Sequence, residues 1–257
     1  MNNLIKIGML AVGFLFIFSL TTTLSAQDYD TQLEEIRAKA MAGDADAQQE
    51  LGRIYFNGLS VPQDYKEAMT WYARAAEQGR AEAQFYLGML YFNGEGVARD
   101  YKEAIVWYTR AAEQGHAEAQ FTLGRIYSKG VVAPIDYKKA AEWYGKAADQ
   151  GLVGAQYNLG VMYFNGEGVA RDYQAALKWL DKAAGQGLAD AQYSLGFMYA
   201  KGYGTSPDNI QAYKWLNLAA KQGRGKAQEL KDKLAKEMTP DQIVETQRLS
   251  GEFPVNK

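Results

Sequence analysis

The chain of 257 residues contains no cysteine, which excludes disulfide bridges, thiolate metal sites and a cysteine nucleophile. Cytosolic proteins of this size usually carry a few cysteines, so the absence also favours an oxidising compartment. His116 is the only histidine, and a histidine-based metal site or catalytic triad is therefore not expected. The sequence predicts no catalytic residues, no metal ligands and no cofactor.

An excess of charge of either sign is also missing. The chain has 28 Lys and Arg residues against 30 Asp and Glu residues, a net charge of −2. Because this balance offers no broad cationic field, nucleic acid and anionic lipid are not expected as partners. Only five prolines and no runs of alternating β-branched residues argue against an all-β fold.

The first 26 residues have the pattern of a secretory signal peptide. Lys6 provides a positive charge, an apolar run covers about residues 7–20, and Ala26 is a small residue at the expected cleavage point. The run is shorter than the ~20 residues of a membrane-spanning helix, and polar threonines follow it. We therefore expect a periplasmic or secreted protein with no stable membrane insertion after cleavage. An uncleaved membrane anchor is the alternative.

A repeat of 36 residues organises the rest of the chain. A period of this length is typical of stacked supersecondary units, none of which buries its apolar face alone. The repeat is marked by a glycine that recurs without an insertion, at Gly43, Gly79, Gly115, Gly151, Gly187 and Gly223. The five full units are residues 43–78, 79–114, 115–150, 151–186 and 187–222.

Each unit contains the signals for two helices, here named A and B. In the second unit the apolar spacing predicts an A helix over residues 81–92, and the glycines within residues 93–96 end it. Asp100 precedes the B helix, where its carboxylate can cap the free amides of the first turn. Aspartate holds this position in the other units too: Asp64, Asp136, Asp172 and Asp208. A cation that suits the negative end of the helix dipole recurs in the last turn of the B helix, at Arg74, Arg110, Lys146 and Lys182.

The two ends of the array depart from the repeat. Residues 27–42 align with a B helix and predict an N-terminal half repeat. Residues 223–257 predict a partial repeat, helical over residues 225–237, and then a capping helix that opens with a capping box at residues 239–242. The predicted fold is all-α: an α–α superhelix, or solenoid, of about five helix-pair repeats between these terminal elements.

The repeat resembles the Sel1-like repeat, a relative of the tetratricopeptide repeat. The resemblance rests on the Ala-x-Ala-Gln-x-x-Leu-Gly-x-x-Tyr run of residues 81–91, the Gly-x-Gly-Val turn of residues 94–97, and the Asp-Tyr and Trp-Tyr pairs at residues 100–101 and 107–108. It covers roughly residues 29–237. The resemblance implies a right-handed superhelix of antiparallel helix pairs that serves as a binding scaffold, and many bacterial members are exported. A branch associated with β-lactam binding carries paired cysteines, so that activity is not expected here.

Two recurring sets of residues are predicted to be structural, and His116, in a turn between units, is expected to be a solvated surface residue. One tryptophan of every B helix shares a face with recurring alanine and tyrosine, so we expect core packing rather than a ligand platform for Trp71, Trp107, Trp143, Trp179 and Trp215. A glycine inside every A helix costs about 1 kcal/mol in helix propensity. We therefore expect a close approach of two helices at Gly52, Gly88, Gly124, Gly160 and Gly196.

A stripe along the A helices has no such structural explanation. In the second unit its three positions, here the first, second and third slots, hold Phe85, Met89 and Phe92, roughly opposite the core face. In helix-pair solenoids the A helices line the concave surface, so the stripe predicts a groove for a partner. The alternative is packing between successive A helices, which would bury at least part of the first slot. The predicted partner site consists of Phe85, Met89, Phe92, Phe121, Arg125, Tyr157, Val161, Phe164, Tyr193 and Phe197.

These features predict an exported, non-enzymatic scaffold or adaptor that binds a peptide or protein partner in the concave groove. No pair of carboxylates is isolated in an apolar setting that would suit acid–base catalysis. The alternative is a peptidoglycan- or glycan-binding protein, or a cell-envelope enzyme, because sugar rings also stack on exposed tyrosine and phenylalanine. A secreted virulence factor would differ from the adaptor only in where its partner resides.

Overall fold

The computed structural model describes residues 26–130 and 132–251, which form thirteen α-helices and no strand. Residues 1–25 of the predicted signal peptide lie outside the described part of the chain. The prediction of an all-α repeat fold is confirmed. The helices are α1 (Ala26–Met41), α2 (Ala45–Asn57), α3 (Tyr65–Glu77), α4 (Ala81–Asn93), α5 (Tyr101–Glu113), α6 (Ala117–Lys129), α7 (Tyr137–Asp149), α8 (Val153–Asn165), α9 (Tyr173–Gly185), α10 (Ala189–Lys201), α11 (Asn209–Lys221), α12 (Gly225–Ala235) and α13 (Pro240–Gly251).

The helices stack as consecutive A and B helices, from α2 and α3 in the first unit to α10 and α11 in the fifth. Each A helix packs against the B helix that follows it, and each B helix packs against the A helix of the next unit. Successive A helices, for example α6 and α8, also contact one another. We call the side of the stack that the A helices form its inner side, as the resemblance to helix-pair solenoids implies.

The predicted helix caps fix where the B helices begin. Asp100 precedes α5, and its Oδ1 accepts hydrogen bonds from the backbone amides of Lys102 (2.9 Å) and Glu103 (3.1 Å). The aspartates at the equivalent positions cap the other four B helices in the same way. At the end of α4, Gly94 adopts a left-handed conformation with φ 74° and donates its amide to Leu90 O. Local signals thus set the bounds of each helix pair.

The glycine inside each A helix lies against the B helix of the same unit, as predicted. A Cβ atom on Gly124 would lie 2.6 Å from Tyr144 Cδ1, and one on Gly160 would lie 2.8 Å from Leu180 Cγ. These distances leave no room for a side chain, so the glycine permits the close approach of the two helices. The B-helix residues at this contact are all buried: Tyr72, Tyr108, Tyr144, Leu180 and Leu216.

A buried glutamine of each A helix connects three segments through its amide, an arrangement we call a glutamine clasp. In the third unit, Gln120 Nε2 donates to Ala112 O at 2.9 Å, at the end of the preceding B helix. Gln120 Oε1 accepts from Gln150 Nε2 at 2.8 Å, and Gln150 Nε2 also donates to Gly115 O at 2.9 Å. The clasp therefore joins neighbouring units as well as the two helices of one unit. The other clasps pair Gln48 with Gln78, Gln84 with Gln114, Gln156 with Gln186 and Gln192 with Gln222.

The turn between the A and B helices packs on the B helix of the preceding unit. Gly204 has φ +74°, and a Cβ atom there would lie 2.7 Å from the carbonyl group of Tyr173. Positive φ and the close backbone contact both require glycine at this position. The same approach occurs between Gly96 and Tyr65 and between Gly168 and Tyr137.

The terminal helices cover the ends of the stack. Helix α1 packs on α2, whereas α12 and α13 both pack on α11. The predicted capping box opens α13, because Thr239 N donates to Gln242 Oε1 at 2.9 Å and Gln242 N donates to Thr239 Oγ1 at 3.3 Å. None of the described helices has the length and apolar character needed to cross a membrane.

Candidate functional site on the inner surface

The inner surface of the stack consists of the A-helix side chains that face away from the B helices. Caps and clasps hold each A helix in the same relation to its neighbours, so each slot of the predicted stripe forms a row along the stack. The rows differ in how much side-chain surface they leave exposed. The three slots are therefore described separately.

Phe85, in the first slot, is buried and is not an exposed groove residue as predicted. Its ring stacks on the imidazole of His116 at a centroid distance of 4.8 Å and meets the ring of Tyr86 at 5.5 Å. His116 is correspondingly not a solvated surface residue. Its Nδ1 accepts a hydrogen bond from Ala119 N at 3.3 Å and so caps α6, and burial lowers the pKa of the imidazole.

The remaining first-slot residues also pack between units. The ring of Phe121 reaches the next A helix, where a Cβ atom on Gly154 would lie 3.0 Å from Phe121 Cζ. Tyr157 and Tyr193 are half-buried against neighbouring hydrophobic clusters. The first slot is therefore occupied by packing within the protein: partly between successive A helices, the alternative that the sequence left open, and partly on the B helix of the same unit, through Tyr108 and Tyr144.

Aromatic residues of the third slot pack over the start of the B helix in their own unit. Phe92 lies edge-on to Tyr101 at a centroid distance of 5.1 Å. Phe164 contacts Tyr173 at 5.3 Å and Tyr203 of the following turn at 5.4 Å. Both phenylalanines are half-buried, so each ring presents only part of its surface to a partner.

The second slot is a row of partly exposed side chains that runs through all five units. Met89, Arg125, Val161 and Phe197 are all half-buried, and Arg53 holds the same position in the first unit. Among these side chains, Phe197 is 6.0 Å from Tyr203 between ring centroids, and Met89 lies at the edge of the second unit's cluster. From the first to the fifth unit the row holds Arg, Met, Arg, Val and Phe, so its two cations lie in the first and third units.

Most charged groups near this row already have partners within the protein. Arg53 and Glu50 form a bidentate pair, with Nη2–Oε1 at 2.5 Å and Nε–Oε2 at 2.8 Å. Glu82 accepts a hydrogen bond from Gln49 Nε2 at 2.8 Å across the first two units. Because these groups are partly exposed, each pair contributes little to stability. Further ion pairs join Asp46 to Arg80 and Asp190 to Arg224.

Tyrosine hydroxyls of the B helices lie behind the second slot. Burial raises the pKa of Tyr72 far above its ordinary value, and the nearby charge of Arg53 opposes this shift. Tyr72 Oη has no hydrogen-bond partner among the described residues. Burial also raises the pKa of Tyr144, whereas its hydrogen bond with Ser128 (3.2 Å) and the charge of Arg125 lower it. The third unit thus places a guanidinium group beside buried hydroxyls.

The tryptophans of the B helices are only partly the core residues that the sequence predicted. Trp71 and Trp215 are buried, but the other three are half-buried. A cation lies over each ring: in the second unit, Arg110 Cζ is 4.4 Å from the centroid of the Trp107 ring. The cation predicted from the helix dipole therefore also covers an aromatic face. The equivalent pairs are Arg74 with Trp71, Lys146 with Trp143, Lys182 with Trp179 and, from a different position, Lys214 with Trp215.

A shallow depression of about 680 Å³ lies at the turn edge of the fourth unit, away from the second slot. Its lining includes Arg171 and Asp172, but both are engaged within the protein. Arg171 Nη2 donates to Asn165 O at 3.2 Å, and Asp172 caps α9. No group of three or more acidic or histidine side chains that could hold a metal ion occurs in residues 26–130 and 132–251.

Comparisons with known proteins agree with the repeat geometry. A family model described as Sel1 repeat matches residues 45–79, 81–116, 117–152, 153–188 and 189–223. The crystal structure of a Sel1 repeat protein from Oxalobacter formigenes is similar, with 32% sequence identity and a TM-score of 0.70 over 88% of this chain and 92% of that one. No match is found among the curated proteins.

A second solved structure is a protective antigen present in uropathogenic Escherichia coli strains, which displays an SLR fold. It is 31% identical with a TM-score of 0.57, and the similarity covers 87% of this chain. The chain spans only 56% of the length of that antigen.

Proposed function

The chain belongs to the Sel1 repeat family, and from this premise we propose that it is an exported, non-enzymatic adaptor that binds a peptide or protein partner along its inner surface. Proteins of this family are in general protein-interaction scaffolds. The observation that carries the proposal is the second slot, a row of half-buried apolar and cationic side chains on successive A helices. Partly exposed methionine, phenylalanine and arginine are enriched in protein–protein interfaces.

Export is supported by the N-terminal pattern and by the absence of cysteine. The similarity to a protein described as a protective antigen also supports a location outside the cytoplasm. The experiment is fractionation of the host cells together with mass measurement of the isolated chain. A chain lacking residues 1–26 in the periplasm or medium supports the proposal, and an intact chain in the cytoplasm contradicts it.

Partner binding is tested by photo-crosslinking in living cells with the probe at Val161 in the second slot. Val106 is the matched control, because it is also a valine on a helix surface but lies on B helix α5 and is 42% exposed. We expect a discrete protein adduct from position 161 and none from position 106. Adducts only from position 106 would place the binding surface on the outer side, and no adduct from either would contradict the proposal.

Binding to peptidoglycan is less well supported than the sequence suggested. Sugar rings need an accessible aromatic face, but the Phe85 ring is buried against three aromatic groups of the protein itself, Tyr86, Tyr108 and His116. Phe164 is likewise enclosed by two tyrosines. We expect no enrichment of the protein when purified peptidoglycan is pelleted, and clear co-sedimentation would favour the glycan-binding alternative.

A further inference from the structure

The arginines of the second slot occupy equivalent positions in two units but have different surroundings. Arg53 in the first unit binds Glu50, three residues earlier on the same helix face. The position of Glu50 corresponds in the third unit to Thr122, which carries no charge. Arg125 forms no ion pair with any carboxylate in residues 26–130 and 132–251. The third unit therefore retains the cation of the pair without its anion.

The groups around Arg125 suit a carboxylate. The guanidinium Cζ lies 5.8 Å from the centre of the Phe121 ring, and Ser128 Oγ is hydrogen-bonded to Tyr144 Oη at 3.2 Å on the next turn. Lys129, one helical turn from Arg125, is exposed on the same face. Glu118, two turns before Arg125, lies 3.5 Å from His116. The local balance of charge near Arg125 is thus positive. The two hydroxyls are already engaged within the protein, since Ser128 Oγ also donates to Arg125 O at 3.2 Å.

The neighbouring second-slot residues would strengthen an ion pair at Arg125. Met89 and Val161 lie in the adjacent A helices and are both apolar. An apolar surrounding lowers the local dielectric constant and favours pairing once water is displaced. A guanidinium group presents parallel N–H donors that match a carboxylate in a bidentate arrangement, which is the arrangement Arg53 already makes with Glu50.

We propose that Arg125 binds the side-chain carboxylate of an aspartate or glutamate in the partner, which takes the place that Glu50 occupies beside Arg53. This inference rests on the proposed function, since it names the chemistry of a partner on the same inner surface. A side chain is favoured over a chain terminus because Arg125 lies in the third of five units. Further inner surface extends on both sides of it, so a bound segment continues past this point.

The test uses random peptides displayed on phage with blocked carboxyl ends, selected on the protein as isolated from its host. Each selected peptide is then synthesised with its acidic residue and with the corresponding amide. We expect replacement of the acid to weaken binding by roughly tenfold to a hundredfold, the range of hydrogen bonds to charged groups. Arg125→Gln should weaken the acidic peptide by a similar factor and leave the amide peptide almost unchanged. If the effects of Arg125→Gln and of the amide replacement do not add, the acidic side chain of the peptide contacts Arg125 directly.

Two further variants sharpen the result. Thr122→Glu recreates the first unit's pair at Arg125, so it should weaken acidic peptides about as much as Arg125→Gln does while retaining the guanidinium group. Arg110→Gln is the matched control, because Arg110 is exposed on B helix α5, away from the second slot, and it should change the affinity less than roughly threefold. Equal circular dichroism melting temperatures would show that the variants are folded.

The outcomes separate this inference from the proposed function. Selected peptides could bind the protein and prevent crosslinking from position 161, yet keep their affinity when the acid is replaced by the amide. That result would overturn the carboxylate contact and leave the adaptor function standing. Additive effects of Arg125→Gln and of the amide replacement would also overturn the carboxylate contact and leave the adaptor function standing. If no peptide binds and position 161 gives no adduct in cells, both proposals are wrong.

Discussion

Replacement of Gln120 by alanine tests how strongly the glutamine clasps join the units. The change removes the bond from Gln120 Nε2 to Ala112 O (2.9 Å) and the bond that Gln150 Nε2 donates to Gln120 Oε1 (2.8 Å). Each hydrogen bond contributes about 1 kcal/mol, and the lost methylene group contributes about 0.8 kcal/mol when buried. We therefore expect the free energy of unfolding to fall by about 2–4 kcal/mol.

The measurement is urea unfolding followed by circular dichroism, with amide hydrogen exchange as a second readout. In a repeat array a weakened junction lowers cooperativity as well as stability, because each unit contacts only its neighbours. We expect a lower unfolding midpoint and a smaller dependence of free energy on urea concentration. Hydrogen exchange should become faster first in the helices on either side of the altered junction, α5 and α6.

Gln228 provides a matched control. It holds the same position in α12, but its Nε2 donates to Asp232 Oδ1 at 2.8 Å on the exposed surface of that helix. Gln228→Ala should lower the free energy of unfolding by less than about 0.5 kcal/mol. Equal losses from the two substitutions, or a loss below about 1 kcal/mol for Gln120→Ala, would refute the role assigned to the clasp.

Three further predictions concern other features of the stack. Tyr72→Phe removes a buried hydroxyl that has no hydrogen bond, so it should raise the free energy of unfolding by about 1 kcal/mol. Tyr144→Phe removes the hydrogen bond to Ser128 and should lower the free energy of unfolding by about 1 kcal/mol. Equal urea midpoints for the two variants would contradict this prediction. Burial lowers the pKa of His116, so the unfolded chain binds the proton more strongly, and stability should fall as the pH drops below about 6.5 toward the folded-state pKa. His116→Leu should remove this histidine's contribution, so the free energy of unfolding should change less between pH ~7 and ~5 than it does in the unsubstituted protein. An unchanged dependence on pH would count against the burial of His116. Gly204→Ala adds a backbone clash to the strain of positive φ, so its melting temperature should fall further than that of Gly151→Ala, which has positive φ but open space around it. Equal melting temperatures would show that the turn does not pack on the preceding unit.

The helices and the order of the stack could be predicted because their signals are local. Asp100 and Gly94 mark the start of one helix and the end of another within a few residues of sequence, and both act as the pattern predicts. Close approach at Gly124 could be predicted for a similar reason, since a glycine inside a helix needs a compensating contact. Information of this kind repeats in every unit and is therefore easy to recognise.

Contacts between units were harder to predict, because the apolar pattern of one helix does not show what covers its outer face. The apolar spacing of α4 placed Phe85 opposite the core face, yet Tyr108 of its own B helix and His116 of the next unit both contact its ring. The partial exposure of Trp107 was missed for a related reason: the arginine that covers its ring was assigned only to the helix dipole. The signal for the clasp was present in the sequence, since Gln120 and its equivalents are polar residues at a fixed position beside a buried alanine.

The clasps also determine how the stack responds to a pulling force along its length. Each junction between units contains a glutamine clasp, such as the hydrogen bonds of Gln120 and Gln150, and the units are connected one after another. A load applied at the two ends therefore passes through every junction in series, and the total extension is the sum of small openings at each one. We therefore expect the stack to lengthen by small changes at every junction before any helix unfolds, because each unit contacts only its neighbours.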